Sequence, residues 1–222
     1  MIMESATHFG IFNHQERRIR IGNLHLKNLV CISSENEMPI LAPCHILVKG
    51  WMAFNEAMTS HEHEKGVHFF IDDYQFERIW NKPHRYLEVL RKYAFVVSPD
   101  FSQYIDMPHA QRIWNNYRGK LIGAWFQSEG LTVVPNVTWS LPDSYGYCFE
   151  GIPKHSVIAI SSLGVSKFGF SRFLWLKGYE EALKRLQPVS ILRHGNKIPG
   201  EDESISVYME DIRLKRIKGN GR

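Results

Sequence analysis

The chain has 222 residues, 44% of them apolar and 13% aromatic, which is enough for one domain with a packed core. No apolar run approaches the ~20 residues of a membrane-spanning helix, so a membrane partner is not expected. The net charge of +4 is a mild excess, gathered in Arg17, Arg18 and Arg20 and again in Arg213, Lys215, Arg216 and Lys218, two short basic runs able to attract phosphates.

Cys31, Cys44 and Cys148 are odd in number, far apart and in no C-x-x-C pair, which speaks against a disulfide framework and a thiolate zinc site. The first residues carry no basic segment followed by an apolar stretch, and a cytoplasmic protein is expected.

In chain order, residues 18–26 (RIRIGNLHL) alternate around Gly22-Asn23 and predict a β-hairpin. An extended segment interrupted by Pro43 follows, then one or two helical turns over 50–59. The cluster SHEHEK at 60–65 places His61 and His63 two apart in a loop-like setting and reads as a solvated connector, so no metal ligands are assigned. Residues 67–71 form an apolar run expected of a strand covered on both faces, ending in Asp72 and Asp73.

A helix is expected from Asn81 as its cap, with Pro83 in the first turn and Tyr86, Leu87 and Leu90 on its apolar stripe. The next strand, 95–98, exits at Asp100. Asp106 as N-cap and Pro108 in the first turn predict a second helix, with Ile113, Trp114, Tyr117, Leu121 and Trp125 on its buried face and Gly130 as its stop. Strand 131–137 follows, ending at Asn136 and Trp139, then a long irregular loop over 141–151. Strand 157–160 opens into Ser161 and Ser162. A helix capped by Ser171 has Phe173, Leu176, Tyr179, Leu183 and Leu186 inside. A last strand, 189–192, exits at His194 and Asn196, and the residues from Lys197 read as a charged loop with a loosely held end.

Strands alternating with helices predict parallel pairing. A TIM-barrel-like β/α fold, complete or partial, is expected over 39–198, flanked by the hairpin extension 1–38 and a basic tail 199–222. An open doubly wound α/β sheet is the rival. The phosphate loops G-x-G-x-x-G and G-x-x-x-x-G-K-[ST] are absent.

In either fold, ligands meet the C-terminal ends of the strands. The groups delivered there make Asp100, Asp72, Asp73 and His194 the candidate catalytic residues, by acid–base or nucleophilic carboxylate chemistry. Tyr74, Ser102, Asn136, Trp139, Ser161, Ser162 and Asn196 are candidate ligand-binding residues, with Tyr74 and Trp139 as flat walls for a base or sugar. No cofactor is identified.

The segments SPDFSQYIDMP, RIWNNYRGKLIGAW, GLTVVPNVTW, CFEGIP and SVIAISSLG resemble a family of phages and mobile elements known as domain of unknown function 4417, across roughly Met38 to Gly195. The resemblance implies a phage or mobile-element setting and no activity. The order of IDDYQF and VSPD is remotely similar to tRNA-guanine transglycosylase-like barrels. The glycine pair of their first motif, a Cys-rich zinc segment and a placed nucleophilic Asp are all absent. That similarity implies a nucleotide, nucleoside or nucleic-acid ligand and a carboxylate-dependent hydrolase or glycosyl-transferring enzyme. A non-catalytic protein that sequesters a small ligand or holds nucleic acid is the alternative.

Overall fold

The alternation of β-branched runs with amphipathic stretches becomes seven short strands in a computed structural model of the protein, which describes residues 21–46, 50–165 and 169–209. They are β1 (Trp51–Ala53), β2 (Gly66–His68), β3 (Phe95–Val97), β4 (Val133–Val134), β5 (Val157–Ser161), β6 (Ser190–His194) and β7 (Ser206–Tyr208). The first four form one sheet in chain order and the last three a second, and every pairing is parallel. A parallel bridge between Asn136 and Ala159 links the two, with Ala159 N–H donating to Pro135 O at 2.9 Å.

The helices are α1 (Leu24–Lys27), α2 (Phe54–Ala57), α3 (Asp73–Asn81), α4 (Pro83–Leu90), α5 (His109–Ser128), α6 (Tyr145–Phe149) and α7 (Gly169–Leu186). None of the described helices is long and apolar enough to cross a membrane.

The strands are buried on both sides because successive side chains serve two cores. Met52, Val96, Val133 and Ile158 join the larger cluster, which includes the apolar residues of the helices. Trp51, Phe95, Val97, Val134 and Ala159 form a second cluster with one another. In a flat sheet the five steps from β1 to β6 would span about 24 Å at ~4.8 Å per step. Yet the rings of Trp51 and His194, on those two strands, lie 5.9 Å apart. The strands therefore curl into an arc with the second cluster inside it.

Strand order runs straight from β1 to β7 without the reversal that marks the switch point of a doubly wound sheet. No pairing joins β7 to β1 among the described residues, so the arc is open and a closed TIM barrel is not formed by them.

Several local expectations change. Residues 24–27, the expected second arm of the hairpin, form α1, with both Gly22 and Asn23 at φ 58. The first arm and both basic runs lie outside the described residues. The expected turns at 50–59 contain β1 as well as α2. Asn81 ends α3 rather than capping α4, which begins at Pro83. Pro108, not Asp106, occupies the N-cap of α5, and no side chain caps it. Ser171 lies inside α7, its hydroxyl donating to Val165 O at 2.9 Å. Trp114 and Phe173, expected inside, are 41% and 55% exposed.

Past Lys197 the expected loop leads into β7, which an ion pair holds, and the last residues of the tail lie outside those described. Arg193 donates through Nε and Nη2 to the two Glu201 oxygens at 2.7 Å each, both side chains fully buried. Arg193 Nη1 donates to Ile160 O at 2.7 Å, and Glu201 also accepts from Ile198 N–H at 2.7 Å and Tyr208 O–H at 3.1 Å. This network ties β5, β6 and β7 together. Removing one partner leaves a buried charge without compensation, at a cost of about 3–5 kcal/mol. Glu201→Ala is expected to lose that much in urea denaturation, while Tyr208→Phe loses about 1 kcal/mol. A loss under 1 kcal/mol for Glu201→Ala would contradict the assignment.

Candidate functional site

Because the strands are parallel, their C-terminal ends open on the same rim, and a cavity of about 500 Å³ lies there. Asp72, Asp100, Ser102, Trp139 and Ser161 line it, from the exits of the four strands β2 to β5, with Asp100 and Ser102 both following β3. Five of the candidates thus converge on one cleft.

The others stand behind it or apart. Asp73 braces the wall, its carboxylate accepting from Ser102 Oγ at 2.8 Å and Ser102 N–H at 3.1 Å. Asn136 lies under Asp100 and donates through Nδ2 to Asp100 Oδ1 at 2.7 Å, while its own N–H donates to Ser98 Oγ at 2.8 Å. His194 is buried inside the arc, its ring stacked 4.9 Å from Phe70 and Nδ1 3.2 Å from Ser161 Oγ. It is placed to orient that hydroxyl and does not line the cleft. Ser162 is committed to its turn, with Oγ donating to Asn196 O at 2.6 Å, and neither residue lines the cavity. Tyr74 is 79% exposed and also lies off the cavity lining.

The strand exits brought in further residues. Gln75, Gln103 and Thr138 line the cavity within three positions of Asp72, Asp100 and Asn136 respectively. That adjacency was their only signal in the sequence. Trp175 lines it from α7, donating through Nε1 to Ser161 O at 3.0 Å, with its ring 5.7 Å from that of Trp139. Gln75 is held by Asn55 Nδ2, which donates to its Oε1 at 2.8 Å.

Asp100 is electrostatically the distinctive member. Burial pushes its carboxyl up to about 7, and the charge of Asp73 adds to the rise. Hydrogen bonds from Asn136 and Thr138 offset part of it. A carboxyl in this state exchanges a proton at neutral pH, as acid–base groups in active sites do. Among the described residues no cluster of three or more His, Cys, Asp or Glu is placed to hold a metal ion.

The Asp100–Gln103 loop is clamped from α5. Asn115 Nδ2 donates to Ser102 O at 2.6 Å, and the Arg118 guanidinium lies 3.7 Å over the Phe101 ring while its Nη1 meets Glu77 at 2.6 Å. Gly119 lets α5 approach: a Cβ there would sit 2.5 Å from Pro99 O.

The raised Asp100 pKa has a consequence for stability. The folded chain keeps a proton that the unfolded chain releases near pH ~4. The associated stabilisation is full below that value, declines above it and is lost once pH passes about 7. Asp100→Asn removes this dependence. Between pH 5 and 8 the parent is expected to lose roughly 2–4 kcal/mol more than the variant in denaturant titrations. Parallel curves would contradict the burial of an ionisable Asp100.

The chain is 34% identical over 209 residues to the Gene 1 protein of Mycobacterium phage L5, covering 90% of each chain. It is 35% identical over 200 residues to the Gene 1 protein of Mycobacterium phage D29, covering 88% of this chain and 70% of that one. No solved structure matches it. Residues 30–211 match the family model described as Domain of unknown function (DUF4417), and the chain belongs to that family, which it shares with phage relatives.

Proposed function

We propose that the protein is an enzyme of phage origin, built on an incomplete β/α barrel, that acts on a nucleotide, nucleoside or nucleic acid by carboxylate acid–base chemistry. The observation that carries this reading is Asp100, a carboxyl raised to about 7 on the wall of the strand-end cavity. A neutral carboxyl at neutral pH can give its proton to a departing base or oxygen, and its conjugate base can take one from water. Asp72, from the neighbouring strand exit, supplies a second carboxyl in the same cavity. Two carboxyls flanking one bond are the common equipment for glycosidic cleavage.

The walls suit a flat ligand. Phe70, Trp139 and Trp175 offer rings, while Gln75, Thr138 and Ser161 offer hydrogen-bonding groups. Nucleosides and nucleotides combine such a flat ring with polar atoms.

The test uses the full chain with a panel of nucleosides, nucleotides and short oligonucleotides, scored for release of free base or phosphate. Asp100→Asn should lower turnover by about 10²–10⁴-fold with the fold retained by circular dichroism. Parent activity should follow a profile that changes near pH 7. Unchanged turnover in Asp100→Asn would overturn the assignment. Tight binding of a panel member without turnover would replace the enzyme by a ligand-sequestering protein.

A further inference from the structure

Ser161 and His194 are direct partners in the pairing of β5 with β6, each the last residue of its strand. Their side chains meet, with His194 Nδ1 3.2 Å from Ser161 Oγ. A hydroxyl within reach of an imidazole is the minimum equipment of a serine nucleophile. Placement separates this pair from an ordinary surface contact, because Ser161 lines the strand-end cavity while His194 is buried behind it.

Both partners are held. The Ser161 carbonyl accepts from Trp175 Nε1 at 3.0 Å, and its Oγ accepts from Leu163 N–H at 3.2 Å. The second bond occupies one lone pair, which leaves the hydroxyl proton for Nδ1 and the other lone pair for a reacting atom. The His194 ring is packed by His68 at 4.8 Å, Phe70 at 4.9 Å and Trp51 at 5.9 Å. His68 is itself fixed, its Nδ1 accepting from Phe70 N–H at 3.1 Å.

Attack on a charged phosphate would call for cations around its oxygens, and among the described residues no Lys, Arg or His lines the cavity. An uncharged acyl carbon has no such need. The lining side chains of Val137, Trp139, Ile160, Leu163, Val165 and Trp175 suit its apolar substituents.

We propose that Ser161 is a nucleophile for acyl transfer, with His194 as its base, and that the cleft cleaves uncharged carboxylic esters. This goes beyond the reading given above, with which it shares only Asp100 as the acid. Ser161 Oγ forms a bond to the acyl carbon as its proton passes to His194 Nδ1, and the bond from that carbon to the alcohol oxygen breaks. Since His194 lies behind Ser161, the departing oxygen takes its proton from Asp100, which lines the same cavity. Water then gives a proton to the Asp100 carboxylate and adds to the acyl carbon. The bond to Oγ breaks, and Oγ recovers its proton from His194. Ester and water become acid and alcohol, with every protein group restored.

The uncharged reagent diisopropyl fluorophosphate, which adds to activated serines with loss of fluoride, tests the pair on the full chain by mass spectrometry. A single adduct is expected at Ser161, absent from Ser161→Ala and formed about 100-fold more slowly in His194→Gln with circular dichroism retained. Should His194→Gln fail to fold, Ser161→Cys takes its place. With His194 intact, the introduced thiol should react with iodoacetamide at about pH 6 roughly tenfold faster than exposed Cys31. The parent should also hydrolyse p-nitrophenyl butyrate, and Ser161→Ala should not. No adduct at Ser161, equal labelling of His194→Gln, an introduced thiol no faster than Cys31, or butyrate hydrolysis unchanged in Ser161→Ala would overturn the proposal. None of these results alters the test of Asp100 on the nucleotide panel, so the two readings fail separately.

Discussion

Parallel pairing of each strand with the next in sequence is the constraint on which the rest of this molecule depends. It places every strand exit on one rim, and the curl of the arc brings exits that are distant in sequence to one cavity. It also divides the apolar residues between an inner cluster and an outer shell under the helices. Short strands suffice because both faces are covered. A two-residue strand such as β4 is held by its neighbours on each side, through Ser98 N–H to Val134 O at 3.0 Å and the bridge to Ala159.

On this frame the long helix α5 does more than fill space. Its buried face carries polar residues with specific partners. Asn115 and Arg118 hold the loop after Asp100, and Arg112 grips Asp143 through two bonds of 3.1 and 3.0 Å. Lys120 donates to the carbonyls of Tyr147, Cys148 and Glu150 at 2.6, 3.0 and 2.6 Å. Burial pulls the Lys120 ammonium down to about 7, but three carbonyl acceptors match the three donors of the charged form. This anchors the end of α6, the element that delivers Cys148 to Gln103. The polar interior of α5 therefore supports the loop that carries Asp100 to the cleft.

Much of this was legible in the residues and some was not, for physical reasons. Runs such as 95–98 and 157–160 are β-branched and end in polar groups, so their strand character and their exits could be read directly. Asp72, Asp100, Ser102, Trp139 and Ser161 were named as candidates by that route, and all five line the one cavity. The short β1 was hidden because Trp51–Ala53 runs straight into a helical turn with no break in composition. Likewise β7 is partly exposed, and its anchor is a pair between Arg193 and Glu201 that no local pattern announces. Trp114 was expected inside because aromatic size reads as burial. Instead it lies at the surface, packed edge-on to Trp80 at 5.2 Å. Gln103 was missed because an amide three residues past a strand resembles any loop residue until its partner, 45 positions away, is known.

What remains central is the state of one carboxyl. If Asp100 holds a proton at neutral pH, the cleft is equipped for acid–base work and for donating to a ligand acceptor. The most direct measurement is the pH titration of the Asp100 carboxyl carbon by ¹³C NMR, assigned with Asp100→Asn. The account predicts a midpoint at about 7. A midpoint near the ordinary Asp value of ~4 would contradict it.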